Sequence, residues 1–303
     1  MIFTVTLNPS IDLFYTLSCG VQPGAILRAD TQTLRPGGKG VNTAIVLHRL
    51  GVPVKATGFL AGKVGKLYLE FLQNCCDSDF VFLPAGETRI NAKLEGAPET
   101  AVNAPGPELP ESALQTLTEK LGSLSQNDTL ILSGSGSAEA YRTLGAYANL
   151  RGARLVIDTS GEALLESLSL HPWLIKPNKE ELEALLSCSL NNAEKIRPAM
   201  EQAQELGAEN ILLSLGAEGA ALLTKEGQFY RAAAEGPFQV RSTVGAGDSL
   251  TAGFLAAKVQ EKNDAEALQF AVAAGTAAVC SPWLPEKAEI CEMLSIAVLN
   301  LDI

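Results

Sequence analysis

From about residue 40 onward, the chain alternates short, almost wholly apolar runs with longer stretches whose apolar positions recur every three or four residues. The short runs lack polar alternation, which predicts strands buried on both faces. They fall at Val54–Leu60, Asp128–Leu132, Arg154–Asp158, Trp173–Lys176, Asn210–Ser214 and Ala220–Thr224, and Met1–Leu7 reads as a first strand. The longer stretches predict helices over Asn42–Leu50 (stopped by Gly51), Leu67–Asn74, Ser112–Leu121, Ala138–Leu150, Lys179–Leu186 and Ala193–Leu206. After Gly247 the pattern predicts helices over Ser249–Val259, Ala265–Cys280 and Lys287–Asn300. Repeated strand–helix units predict an α/β fold, with a mostly parallel sheet and helices on both of its faces.

Two regions break the rhythm. Residues 12–36 and about 88–103 read as strands with no helix between them. A small sheet of this kind, standing off the main one, would serve as a lid over a cleft. The Ala104–Pro110 stretch reads as a loop, and no repeat or low-complexity linker divides the chain. Residues 1–303 are therefore expected to form a single domain that carries the lid.

Composition narrows the function. The 303 residues are 47% hydrophobic, enough for a large core, and the formal net charge is −11. That charge argues against general binding to nucleic acid or an anionic membrane surface. A phosphate on a ligand must therefore be met by individual cations. No run is long enough to span a bilayer and no basic n-region opens the chain, so a cytoplasmic protein is expected. Cys19, Cys75, Cys76, Cys188, Cys280 and Cys291 form no C-x-x-C pair and no zinc spacing, which predicts free and mostly buried thiols. The two histidines, His48 and His171, lie beside no motif, so histidine-based hydrolysis and His-rich metal sites are disfavoured.

The richest stretch is Thr243-Val244-Gly245-Ala246-Gly247-Asp248-Ser249, which runs into an apolar helix. Its glycines let the backbone approach an anion, and the helix behind them offers unsatisfied N–H groups. Asp248 would be unwelcome beside a phosphate unless it takes a proton from an attacking hydroxyl, as phosphoryl transfer to an alcohol requires. Near the N-terminus, Pro36-Gly37-Gly38-Lys39-Gly40-Val41-Asn42 opens a helix, and Asn8-Pro9-Ser10-Ile11-Asp12 follows a strand end, where α/β sheets bind ligands. Asn42 can donate and accept, which suits sugar hydroxyls. Arg28, Lys39 and Arg89 fall on the same irregular segments and are expected to clamp a substrate phosphate. In the second half, the turn Ser214-Leu215-Gly216-Ala217-Glu218-Gly219 would admit nucleotide phosphates or ribose. Asn178 and Glu181, one helical turn apart, could organise Mg²⁺ through its waters, although Asn178 reads equally well as a helix N-cap. There is no G-x-x-x-x-G-K-[ST] P-loop, and neither Gly245–Gly247 nor Gly134–Gly136 completes a dinucleotide fingerprint.

Taken in order, Asn8–Asp12, Gly37–Asn42, Thr88–Asn91, Asp158–Leu164, Lys176–Glu181, Ser214–Gly219 and Thr243–Ser249 resemble the ribokinase/PfkB carbohydrate kinase family almost end to end. Together with Asn103–Pro107 they are most similar to its hexose-phosphate branch. The resemblance implies a ribokinase-like three-layer α/β/α domain with a small β-sheet lid, and a homodimer paired through that lid. It implies Asp248 as base, with the N–H groups of Gly245, Ala246 and Gly247 as the anion hole. Asp12, Gly38, Lys39, Asn42 and Arg89 would hold the sugar phosphate, with Arg28 as an addition. Asn178, Ser214, Gly216, Glu218 and Gly219 would hold ATP, and Glu181 would serve Mg²⁺ through water. The implied reaction is MgATP-dependent phosphorylation of a ketohexose monophosphate to its 1,6-bisphosphate. Fructose 1-phosphate is the favoured substrate, tagatose 6-phosphate the runner-up, and a non-catalytic sugar-phosphate sensor the alternative of another class. One departure stands out. The family usually has Ser-Gly-Ser-Leu-Pro after its middle strand, where this chain reads Ser133-Gly134-Ser135-Gly136-Ser137-Ala138-Glu139.

Overall fold

The computed structural model describes residues 1–18, 20–22, 24–95 and 100–300; Cys19, Pro23 and the 96–99 stretch of the expected appendage lie outside the described residues. The chain opens with β1 (Ile2–Thr6), then leaves the main sheet to form β2 (Ser10–Thr16) and β3 (Thr31–Gly37). Helix α1 (Lys39–Arg49) returns it to β4 (Val54–Ala61), followed by α2 (Gly62–Leu72) and the short strands β5 (Asp77–Ser78) and β6 (Val81–Leu83). A second excursion supplies β7 (Arg89–Glu95) and β8 (Thr100–Val102). Regular alternation follows through α3 (Glu111–Lys120), β9 (Thr129–Ser133), α4 (Ala138–Leu150), β10 (Arg154–Asp158), α5 (Gly161–Leu168) and β11 (Leu174–Ile175). Then come α6 (Lys179–Leu186), α7 (Ile196–Glu205), β12 (Asn210–Ser214) and the hairpin of β13 (Ala220–Leu223) and β14 (Phe229–Ala234). Helices α8 (Ala246–Val259), α9 (Asp264–Cys280) and α10 (Lys287–Leu294) precede a last strand, β15 (Ala297–Asn300).

The main sheet runs β15-β14-β13-β12-β11-β10-β9-β1-β4-β5, with β6 beside β4. Pairs from β12 to β5 are parallel, and β13, β14 and β15 extend the sheet antiparallel. Successive side chains leave each strand on opposite faces. Val156, Leu212 and Leu222 join one core cluster with α1, α8 and α9, whereas Leu155, Ile157, Ile211, Leu213 and Leu223 join another beneath α3 to α7. Both faces are covered, which is why these strands read as unbroken apolar runs. The four excursion strands form their own sheet, ordered β3-β2-β7-β8.

Three expectations need correction. The predicted helix Lys287–Asn300 ends at Leu294, and Ala297–Asn300 pairs with β14 as an edge strand. The apolar run Ile296–Leu299 fits either structure by pattern, and an open sheet edge decides the outcome. Helix α8 starts at Ala246 rather than Ser249, which puts Asp248 inside its first turn. Of the described cysteines only Cys76 is buried, while Cys188 and Cys291 are exposed.

Chain order reverses about β1, with β4 on one side and β9 through β12 on the other. Such a reversal opens a crevice at the carboxyl ends of the strands. Thr6 and Ser133, in register at the ends of β1 and β9, mark the spot. Above it sits the amino end of α8, whose Phe254 is 2% exposed and packs 6.3 Å from the Trp173 ring. Phe254→Ala should destabilise the fold by about 3–5 kcal/mol, read as a lower thermal midpoint in calorimetry; an unchanged midpoint would show that α8 is not anchored there.

Candidate active site

At the strand ends a buried charge cluster forms. Asp158 closes β10 and is 1% exposed. Its Oδ1 lies 3.0 Å from Lys39 Nζ and 3.4 Å from Lys176 Nζ, and Lys176 is itself buried. A carboxylate taken so far out of water needs such partners, because the desolvation cost of an unpaired ion is several kcal/mol. Glu181 Oε1 stands 3.8 Å from Lys39 on its other side. Burial opposes the charge on Lys39, but Asp158 and Glu181 outweigh it, and the ammonium is held well above its usual pKa.

Asp248 faces this cluster from the first turn of α8. Gly245 caps the helix in a left-handed conformation and supplies no side-chain bond, so the N–H groups of the first turn are open to a ligand. Ala246 N is directed to Thr243 O at 3.4 Å, which leaves the Gly247 and Asp248 amides as the freer pair of that turn. A Cβ on Gly247 would sit 3.4 Å from Lys176 Nζ, so an ammonium and open amides converge on one point. This arrangement suits a phosphoryl group. Asn42 Nδ2, on the first turn of α1, donates to Asp248 Oδ2 at 2.7 Å. Burial and the nearby Asp158 push the Asp248 carboxyl up to about 6, against the opposing pull of Asn42, Lys39 and Lys176. A carboxylate poised near neutrality is matched to proton abstraction.

On one side of Asp248 lies a polar pocket built on the small sheet. Asp12 Oδ1 accepts from Ser10 Oγ at 2.7 Å and from Asn91 Nδ2 at 2.9 Å. Its Oδ2 crowds the chain at Gly37, where a Cβ would come within 2.4 Å. Arg89 donates to Asn8 O (2.9 Å) and Ala104 O (3.1 Å), while its Nε is buried without a partner. The expected three-residue phosphate clamp is not assembled within the chain. Lys39 is engaged by carboxylates, as above. Arg28 is exposed on the 17–30 segment, whose ends attach at the far end of the small sheet through Leu17 N–Glu95 O and Asp30 N–Thr16 O. Gly38 caps α1 with φ +124 and packs against Thr6.

On the other side the turn after β12 is as anticipated, but its residues divide their duties. Asn178 bridges Ser214 in parallel, so the two stand together. Asn178 and Glu181 form a reciprocal capping box: Glu181 N donates to Asn178 Oδ1 at 2.7 Å and Asn178 N to Glu181 Oε2 at 2.8 Å. The helix-cap reading of Asn178 is thus present in the structure, and it leaves Asn178 Nδ2 and Glu181 Oε1 outside the cap. Gly216 has φ +61 and open space beside it. Gly219 serves the fold, since a Cβ there would lie 2.0 Å from Ala232 O. Glu218 reaches Arg231 at 3.6 Å.

Unpartnered polar atoms outline the space between these walls. Thr6 Oγ1, Asn8 Oδ1, Asn42 Oδ1, Arg89 Nε, Ser133 Oγ and Asp158 Oδ2 are buried without a hydrogen-bond partner among the described residues. Buried polar atoms are normally satisfied, so such a group at one strand-end crevice marks a ligand site. Asp158 and Lys176 had no assigned role in the sequence reading, nor did Asn91. For Asp158 and Lys176 the signal is a charged residue ending an all-apolar run, at Leu155-Val156-Ile157-Asp158 and Leu174-Ile175-Lys176; Asn91 lies inside β7 with no such signal.

A family model described as pfkB family carbohydrate kinase matches residues 5–284. The chain is 33% identical over 298 residues to the 1-phosphofructokinase of Bacillus subtilis (strain 168), covering 97% of each chain. It is 32% identical over 296 residues to the D-tagatose-1-phosphate kinase of Bacillus licheniformis, covering 96% of each. The solved structure of the phosphofructokinase-2 from Escherichia coli in complex with substrates and products matches with a TM-score of 0.88 at 27% identity, over 97% of this chain and 98% of that one. The ribokinase-like three-layer architecture expected from the motifs is the one observed.

The raised Asp248 carboxyl has a consequence for stability. Above about pH 6 the folded chain carries an ionised, desolvated group, whereas below 3.8 the carboxyl is protonated in folded and unfolded chains alike. Asp248→Asn should therefore stabilise the protein at pH 8, by on the order of 1–3 kcal/mol. The gain should shrink as pH falls through 6 towards 4. Thermal unfolding at both pH values checks this, and a gain independent of pH would disprove the burial argument.

Proposed function

Because the chain belongs to the pfkB family of carbohydrate kinases, we propose that it uses MgATP to phosphorylate a ketohexose 1-phosphate at its C6 hydroxyl, fructose 1-phosphate giving fructose 1,6-bisphosphate. The single observation that carries the chemistry is the buried Asp248 carboxylate beside the open amides of α8 and the Lys176 ammonium. Asp248 takes the proton of the acceptor hydroxyl as the new O–P bond forms and the bond from the γ-phosphorus to the bridging oxygen breaks. The Gly247 and Asp248 amides, with Lys176, stabilise charge on the transferring oxygens. Asn42 orients the carboxylate through its 2.7 Å bond. Asp12, Asn91 and Arg89 suit the sugar and its phosphate, and Asn178, Ser214 and Gly216 suit the nucleotide. The two sequence relatives from Bacillus act, by name, on sugars phosphorylated at C1, which favours C6 over C1 as the acceptor. Tagatose 1-phosphate is thus the second candidate, ahead of the tagatose 6-phosphate expected from the motifs.

Among the described residues no group of three or more His, Cys, Asp or Glu side chains could hold a metal ion by itself. Mg²⁺ fits such a site because it keeps most of its waters and takes one or two carboxylates plus phosphate oxygens. Glu181, through water, and the unpartnered Asp158 Oδ2 are the oxygens available. When bound, the ion would screen charge on the terminal phosphates.

The small sheet serves in this reading as the lid and as the contact with a second copy. Ile90 and Val102 are 45% and 60% exposed. By register they share with Leu13, Leu34 and Ala92 the face opposite Asp12. An exposed apolar face on a four-stranded sheet is the natural place for an isologous dimer. No described helix is long and apolar enough to cross a membrane.

A coupled ADP assay with fructose 1-phosphate, tagatose 1-phosphate, tagatose 6-phosphate, fructose 6-phosphate and ribose should find the highest kcat/KM for fructose 1-phosphate. ADP release indifferent to the sugar would sink the assignment. In the same assay kcat should fall as pH drops through about 6, where Asp248 protonates. Asp248→Asn should lose about 10²–10⁴-fold in kcat with ATP binding intact; near-normal turnover in that variant would remove the proposed base. By sedimentation the chain should behave as a dimer that Ile90→Asp converts to monomer, and a monomeric wild type would refute the pairing.

A further inference from the structure

A strap joins α9 to α10: Ser281-Pro282-Trp283-Leu284-Pro285. It touches both the small sheet and the amide turn. At one end the Trp283 ring carries two guanidinium groups, with Arg35 Cζ 4.9 Å and Arg49 Cζ 5.2 Å from its centroid. Arg35 belongs to β3. It lies opposite Asp12 in the β2–β3 register, two residues before the Gly37 that crowds the Asp12 carboxylate. Arg49 ends α1, the helix that carries Lys39 and Asn42, and it also donates to Leu284 O (2.5 Å) and Pro285 O (3.3 Å) and pairs with Glu286 at 3.2 Å. At the other end Leu284, 4% exposed, presses on the cap of α8: its Cδ2 lies 2.7 Å from where a Gly245 Cβ would stand, at φ +78. The two prolines leave the strap little freedom to absorb a displacement.

These contacts form a continuous path. The sugar pocket is tied to Arg35 through β3, Arg35 to Trp283 through a cation–π contact, and Trp283 to Gly245 through the next residue in the chain. Packing a half-buried indole against the core requires neither guanidinium, and two like charges on one ring repel. The arrangement makes sense if the ring has to follow both the small sheet and α1. We propose that Trp283 is a positioning residue through which the seating of the small sheet over the sugar phosphate sets the geometry of the Gly245–Asp248 amide turn. The proposal rests on the kinase reading above. Misplacing a reacting group by about 1 Å can cost 10²-fold in rate, so a small shift of the strap would separate productive from idle MgATP.

The test combines kinetics with an optical signal. Trp283→Ala and Arg35→Met should each lower kcat by about ten- to a hundredfold, raise KM for fructose 1-phosphate and leave KM for ATP near the wild-type value. The double variant should lose no more than the worse single one, because both changes break one path. Trp283→Phe, which keeps a ring for Arg35, should recover part of the loss, and if Trp283→Ala fails to fold, Trp283→Phe and Arg35→Met carry the test. The chain has two tryptophans, so Trp173→Phe leaves Trp283 as the only indole. In that background fructose 1-phosphate, at concentrations that saturate turnover, should shift the emission, and Arg35→Met should abolish the shift. Variants with a lower thermal midpoint but unchanged kcat and KM would overturn the proposal, as would losses that multiply in the double variant or an emission indifferent to the sugar. A wild-type chain that releases no ADP with any sugar phosphate would sink the functional reading instead, which is a different result from a normal wild type beside an unaffected Trp283→Ala.

Discussion

The site depends on one buried carboxylate, Asp158, holding two ammonium groups at the ends of parallel strands. Without it, the buried Lys176 would lose its ion-pair partner, Lys39 would keep only the more distant Glu181, and Asp248 would lose part of the setting that governs its proton. Removing one partner of a buried ion pair typically costs 3–5 kcal/mol, far more than an exposed pair contributes. The cluster is a fixed electrostatic frame built before any ligand arrives. Preorganisation of this sort spares the reaction the cost of turning dipoles as charge moves.

Around that frame the labour is divided by origin in the chain. The pocket proposed for the acceptor is drawn from the first hundred or so residues, through β2, β3, β7 and α1. The wall proposed for the nucleotide comes from the segments after β11 and β12. Asp248 arrives last in sequence, and α1 ties it to the first group through Asn42, which donates to its carboxylate, and Thr43, which donates to its carbonyl. A ligand bridging the two walls would also satisfy several of the buried polar atoms that the protein leaves unpaired.

Much of this was legible in the residues. Strand–helix alternation yielded the parallel sheet because strands buried on both faces have only one hydrophobic signature. The Gly245–Asp248 turn was legible because a positive-φ glycine, an open helix end and a carboxylate rarely coincide by chance. What escaped did so for physical reasons. The edge strand Ala297–Asn300 depends on a partner more than sixty residues away, which local periodicity cannot see. Lys39 read as a free cation because its neutralising carboxylate is 119 residues distant. Gly219 read as a ligand cradle, yet the space it vacates is filled by the backbone of β14.

The order of the main sheet has one more consequence. β1, the earliest of the described strands, lies inside the sheet, and from β9 to β15 each new strand is laid beside the one made before it. No later segment on that side has to be threaded between two strands already joined. On that side each strand emerging from the ribosome therefore finds an open border waiting for it, and the border moves outward strand by strand until β15 is laid down.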